Sequence, residues 1–234
     1  MTAHPGASPL DDSRRSPPSA GSDSSVVGQP NSQSERRAGP RPIIVAVTGA
    51  SGAPYAVRLI QQLVAAQRPV SLILSSHGMR LIQAETAFTS IDDLRMSIGP
   101  GVWDRVVTVY DDDDRGALPA SGSVRTAGMV VCPCSMGTAS AIAHGSSRSL
   151  VERAADVTLK ERRRLILVPR ETPFSTVHLE NLLTLSRMGV VILPAAPGFY
   201  HRPTTVEDLV DFIVARLLDH LDVEHQIGAR WNGG

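Results

Sequence analysis

The chain has 234 residues, 42% of them hydrophobic, enough apolar material to fill one α/β core of ordinary size. Its 23 basic and 23 acidic residues cancel, so no global field draws it to nucleic acid or to an anionic membrane, and any attraction for phosphate has to be local. No apolar stretch approaches the roughly 18 residues of a membrane span, and the first forty residues hold no apolar run longer than Val26-Val27, so neither membrane insertion nor a signal-peptide core is expected.

Residues 1–40 are dominated by Ser, Pro, Gly and scattered charges, too little apolar surface to offset the entropy of ordering, and read as a disordered tail. A single domain is expected over 41–234. It opens with Ile43-Ile44-Val45-Ala46-Val47, a β-branched run typical of a strand buried on both faces, as in parallel sheets. That strand leads into Thr48-Gly49-Ala50-Ser51-Gly52-Ala53 and an amphipathic helix over 54–66. Small residues at such a turn let backbone amides approach a phosphate, although the same residues also serve to pack helix against sheet.

A second strand, 70–74, ends in Ser75-Ser76. A dinucleotide enzyme places Asp or Glu there to hold the adenosine ribose, so a mononucleotide fits better. A helix is predicted over 79–87 and a strand over 106–110. The following Asp111-Asp112-Asp113-Asp114 resembles half of a magnesium-binding prenyl-diphosphate motif, but Arg115 stands where its last aspartate is needed, and a solvated loop with no metal is the expectation.

The fourth strand, 129–132, runs into Cys132-Pro133-Cys134-Ser135-Met136-Gly137-Thr138, a second turn with hydroxyls and glycine ahead of a helix over 137–144. One proline separates these two cysteines, the only ones present. They are too close for an unstrained disulfide and too few for a structural zinc site, and they suggest a reducing, cytoplasmic setting. A helix over 150–160 carries Arg153 and Lys160, the sole lysine. Because Asp156 lies four residues before it, the Tyr-x-x-x-Lys pair of short-chain dehydrogenases cannot be written.

A strand over 165–168 ends in Pro169-Arg170-Glu171-Thr172-Pro173. There a carboxylate beside an arginine is sited either for proton transfer in a cleft or as a surface ion pair. After a helix over 175–187 and a strand over 190–193, Pro194-Ala195-Ala196-Pro197-Gly198-Phe199-Tyr200 brings a phenol to the same rim, and a last helix, 206–221, carries Arg216. Lys160, Arg170, Tyr200 and Arg216 together have the chemistry to hold a phosphate without metal, provided they converge. Alternating strands and helices predict an α/β fold: one doubly wound, Rossmann-like domain with a mostly parallel sheet of about six strands and a ligand beyond the strand carboxyl ends.

Taken in order, the segments 48–53, 133–138, 152–164, 168–173, 178–181 and 194–203 resemble the UbiX family of flavoproteins, called Pad in older usage, across about residues 43–231. Glu-Arg-Ala-Ala-Asp-Val, Leu-Val-Pro-Arg-Glu-Thr-Pro and Pro-Gly-Phe-Tyr-His are its most specific elements. The resemblance implies FMN held by Gly49, Ala50, Ser51, Ser75, Ser135, Met136, Gly137, Thr138 and Arg153. It implies dimethylallyl phosphate held by Lys160, Arg170, Tyr200 and Arg216, partly across a subunit boundary, with Glu171 as acid/base, Ser51 near flavin N5 and Trp231 near the flavin. The implied activity is flavin prenyltransferase: metal-independent transfer of a dimethylallyl group to N5 and C6 of reduced FMN. The prenylated FMN would pass to a UbiD-type decarboxylase, and the enzyme would be a homododecamer once labelled an aromatic acid decarboxylase.

Two departures stand out: Arg115 replaces an aromatic residue that some members carry before Pro119-Ala120-Ser121-Gly122-Ser123, and Met136 stands where some have threonine. A cysteine decarboxylase of the same fold is the first alternative, but its Pro-x-Met-Asn-x-x-Met-Trp segment and its histidine after an Ala/Ser-Asn pair are missing. A non-catalytic FMN-binding partner of a decarboxylase is the second, and it would have no need of the Lys160, Arg170, Glu171, Tyr200 and Arg216 set.

Overall fold

A computed structural model describes residues 39–228; the expected tail up to residue 38 and Trp231 lie outside the described residues. In chain order the elements are β1 (Ile43–Val47), α1 (Ala53–Ala65), β2 (Val70–Leu74), α2 (Ser76–Glu85), α3 (Ile91–Ile98), α4 (Pro100–Val106), β3 (Val107–Asp111), a 3-10 turn at Leu118–Ala120, β4 (Gly128–Cys134), α5 (Met136–Ala143), α6 (Leu150–Lys160), β5 (Leu165–Pro169), α7 (Thr176–Arg187), β6 (Val191–Ile192) and α8 (Val206–His220). The strands form one parallel sheet in the order β3-β2-β1-β4-β5-β6. This is the doubly wound order in which the winding reverses between β1 and β4.

Every residue of β1 and β4 is buried, as their unbroken apolar runs require. Alternate β1 side chains feed the two sides of the sheet. Ile43, Val45 and Val47 pack with Leu59, Ile60 and Leu63 of α1 and with Ile213, Leu217 and Leu218 of α8. Ile44 and Ala46 pack with Met129, Val131, Ile142, Leu150 and Leu167 on the other side. Truncating a fully buried member such as Leu63 to alanine would cost about 2–5 kcal/mol.

Three expectations need correction. Residues 91–106 carry α3 and α4, which the pattern did not reveal; Ser90 and Asp93 form a reciprocal capping box at the start of α3, and Pro100 sits in the first turn of α4. The fourth strand continues through Pro133 to Cys134. Proline survives there because the pairing with β5 is irregular between Val131 and Cys134. The last strand is only Val191–Ile192, at the sheet edge.

Candidate active site

Beyond the carboxyl ends of β1, β2, β3 and β4 lies a cavity of about 340 Å³, lined by Thr48, Gly49, Ser75, His77, Asp112, Ser135, Thr138, Ser149, Val151 and Glu152. Two helices begin at its edge, each with a serine cap. Ser75 Oγ accepts from Gly78 N at 3.0 Å and donates to Val47 O at 3.1 Å, which ties α2 to the end of β1. Ser135 Oγ accepts from Thr138 N at 3.1 Å and lies 2.9 Å from the Thr138 hydroxyl. With one amide of each helix taken, Ser76 N, His77 N, Met136 N and Gly137 N have no helical acceptor, and both helix dipoles favour an anion at this place. Gly78 is required here: a Cβ on it would lie 2.3 Å from Val47 O.

A third helix, α6, also starts at the cavity, but its amides are occupied. Asp112 O accepts Leu150 N at 2.7 Å, Asp112 Oδ1 accepts Val151 N at 2.8 Å, and Ser149 Oγ accepts Glu152 N at 3.4 Å. The acidic run is therefore not wholly the solvated loop expected from sequence: Asp112 is built into the wall, while Asp111, Asp113, Asp114 and Arg115 are exposed. Glu152 is buried. Burial raises its carboxyl pKa, but the bonds from the Arg148 guanidinium and backbone outweigh this and leave it below the usual range. Glu152 is thus paired with a cation and Asp112 with an amide of α6, and the α2 and α5 ends remain open to a phosphate.

The glycine turn gathers a second group of residues. Gly52 has φ 126° and begins α1 with no side-chain cap of its own. Glu85, the last residue of α2, fills that role: its Oε2 accepts Gly52 N at 2.7 Å and Ala53 N at 2.9 Å, and its carboxylate also takes the Ser51 hydroxyl. Burial raises the Glu85 pKa, but these bonds and the nearby Arg170 charge prevail, so the group stays below its ordinary value. Arg170 Nε donates to Ser51 O at 3.1 Å, and Glu171, half-buried beside it, accepts Thr172 N at 3.0 Å. Ser51, Glu85 and Arg170 thus form one connected group, with Glu171 next along the chain from Arg170; sequence reasoning missed Glu85. A glutamate closing an amphipathic helix looks like a solvated surface residue; the available signal was a helix opening on Gly-Ala-Pro, with no capping side chain of its own.

Within the FMN set, Gly49, Ser75, Ser135 and Thr138 line the cavity, Met136 and Gly137 form the first turn of α5, and Ala50 is buried in the glycine turn. Arg153 lies outside the lining, half-exposed and paired with Asp156 at 2.9 Å. The phosphate set is spread out within one chain. Lys160 ends α6, roughly 15 Å of helix rise from Leu150, at the opposite end of the sheet. It pairs with Glu161 at 2.7 Å and lines a groove of about 470 Å³ with Ile142, Asp156, Leu159 and Met188. The Tyr200 ring packs edge-on to Phe212 of α8 at 5.7 Å, and Arg216, one turn further along that helix, is exposed with Asp219 3.9 Å away. Cys132 and Cys134 are free, buried thiols; burial raises both, Cys134 to about 12, out of the range of a nucleophile at neutral pH.

A doubly wound sheet with a glycine turn and two open helix ends at its switch point is the frame of a mononucleotide-binding flavoprotein, and the Flavoprotein family matches residues 31–218. Flavin prenyltransferase UbiX of Pseudomonas aeruginosa is 48% identical over 204 residues, which cover 82% of this chain and 95% of that protein. The enzyme of the same name from Halalkalibacterium halodurans is 48% identical, covering 80% and 91%. Among solved structures, AnUbiX (PadA1) in complex with FMN and dimethylallyl pyrophosphate superposes with a TM-score of 0.77 at 40% identity, covering 83% of this chain and 99% of that one. A dodecameric FMN-dependent UbiX-like decarboxylase from Escherichia coli O157:H7 gives 0.75 at 44% identity, covering 82% and 100%. The cypemycin decarboxylase CypD, at 17% identity and a TM-score of 0.53, shares the fold alone. The chain belongs to the UbiX family of flavin prenyltransferases.

Proposed function

We propose that this protein transfers a dimethylallyl group from dimethylallyl phosphate to reduced FMN. The observation that carries the reading is the junction of the mononucleotide cavity with the Ser51, Glu85 and Arg170 group along one turn of chain, with Glu171 the next residue after Arg170. The residues present fit FMN. The amides of α2 and α5 with Ser75, Ser135 and Thr138 would hold its phosphate, and Gly49, Ala50, Ser51 and Arg153 would hold the rest. When bound and reduced, FMN supplies electron-rich N5 and C6 positions for the two carbon bonds of the added ring.

Around it, the chain's own groups orient and screen. Arg170, with Lys160, Tyr200 and Arg216, would receive the departing phosphate by charge and hydrogen bonding. Glu171 would move a proton between substrate and solvent, and Ser51, fixed by Glu85, would present its hydroxyl oxygen as an acceptor. Because Lys160 lies at the other end of its own α6, we infer a site completed by a neighbouring copy. The apolar surface of α7 supports assembly, since Val177, Leu179 and Leu183 are each at least half exposed in the single chain. The dodecameric Escherichia coli relative sets the expected assembly as a homododecamer.

No helix among the described residues is long and apolar enough to cross a membrane, and the two unoxidised cysteines favour the cytoplasm. A UbiD-type decarboxylase is the proposed recipient of prenylated FMN. The test is mass spectrometry of the flavin released after incubation with reduced FMN and dimethylallyl phosphate: a product heavier by one C5H8 unit is expected, and unaltered flavin would refute the activity. Glu171→Gln should leave FMN affinity unchanged and slow turnover by about 10²–10⁴-fold. A cysteine decarboxylase would instead release carbon dioxide from a peptide cysteine without prenyl donor.

A further inference from the structure

Thr48 lies where β1 and β4 part, and it is 3% exposed. The ladder between these strands ends with the pair Ala46↔Val131. Beyond it the two chains turn to opposite faces, β1 toward α1 and β4 toward α5, and Pro133 has no N–H with which to continue the pairing. The Thr48 hydroxyl takes over. It donates to Pro133 O at 2.9 Å and accepts from Ser135 N at 2.9 Å, while Thr48 N donates to Pro133 O at 3.3 Å. One side chain therefore joins the last residue before the glycine turn to the residue that caps α5. On its other side the same strand end is held by Ser75, through Val47 O.

We propose that Thr48 is a positioning residue for the phosphate half of the mononucleotide site, fixing the spacing between the glycine turn and the open amides of α5. The proposal rests on the flavin reading above. The two bonds need a group that donates and accepts from one atom at the end of a short stem, which threonine and serine provide and valine, of the same shape, does not. Losing them frees Ser135 N and lets the α5 cap move relative to Gly49. The strands and their apolar packing stay as they are. The loss should thus fall on the part of the ligand that carries the phosphate.

The experiment is flavin-fluorescence titration of Thr48→Val and Thr48→Ser with FMN and with riboflavin, which lacks the phosphate, together with the melting temperature of each protein without flavin. Thr48→Val is expected to weaken FMN about ten-fold, the size of one lost hydrogen bond, and riboflavin less than about two-fold; Thr48→Ser should keep wild-type preference. Thr48→Ala is a second hydroxyl-free variant with the same expectation, should the valine protein not fold. Unchanged FMN affinity in a folded hydroxyl-free variant overturns the proposal, as does an equal loss for FMN and riboflavin, which would mark a general structural role. A wild-type protein that bound neither flavin would overturn the flavin reading itself, a different result from a variant that matches a binding wild type.

Discussion

Glu85 caps a helix to which it does not belong: its carboxylate closes α2 in sequence, yet accepts the amide of Gly52 at 2.7 Å at the start of α1. Replacing it with glutamine should remove the anion that holds this turn. Because the folded-state pKa is depressed, the stabilisation is present above the unfolded carboxylate value and is lost as pH falls through the folded pKa. Urea denaturation should show Glu85→Gln less stable by about 1–2 kcal/mol at neutral pH, a figure already reduced for solvent access. The gap should shrink only below about pH 4. A constant gap down to about pH 3 would mean the charge is not the cause.

Asp112 provides a second test of stability. Its carboxylate accepts Val151 N at 2.8 Å, so Asp112→Ala should cost about 1 kcal/mol. For a chain of this length that is a drop in melting temperature of about 2–4 °C. Asp112→Asn retains an acceptor oxygen and should lose less than half as much. Calorimetry that finds the two variants equal would assign the effect to charge rather than to the tether.

The separation of Lys160 from Arg170 within one chain leads to a complementation experiment. Lys160→Ala and Arg170→Ala should each be nearly inactive. Mixed oligomers made by refolding the two together should regain part of the activity, because some sites receive both intact residues from different copies. Mixtures as inactive as their parents would show that the two residues must come from one chain.

Cys132 and Cys134 should be silent toward a thiol-disulfide reagent at pH 8 in the folded protein and should both react after denaturation, since burial holds each thiol protonated. Fast labelling of either in the native state would contradict the packing of β4.

The fold was legible wherever burial leaves an unmixed signal. The run 43–47 reads as a doubly buried strand because it is one, and α6 was predicted with its observed ends because Ser149 caps it and its apolar stripe is regular. The α3 and α4 helices escaped because each is short and buries one large apolar side chain, Leu94 or Trp103, so there is little periodicity to detect. In the site, the glycine turn and the serine caps could be read because their chemistry is local. Glu85, Asp112 and Thr48 could not be assigned roles, since each acts on an amide or carbonyl far away in sequence that only the crossovers bring near. The proposed convergence of Lys160 and Arg216 on one phosphate would likewise be a property of assembled copies rather than of one chain's pattern.

Gly78 restricts how this protein can be re-engineered. Any other residue would drive its first carbon into the carbonyl of Val47, so the second helix would have to lift off the central strand. A library that randomised the pocket and selected for a new ligand would keep returning glycine at 78, whatever molecule was offered. Altered preference would have to come through neighbours such as His77, whose side chains can change without moving the frame.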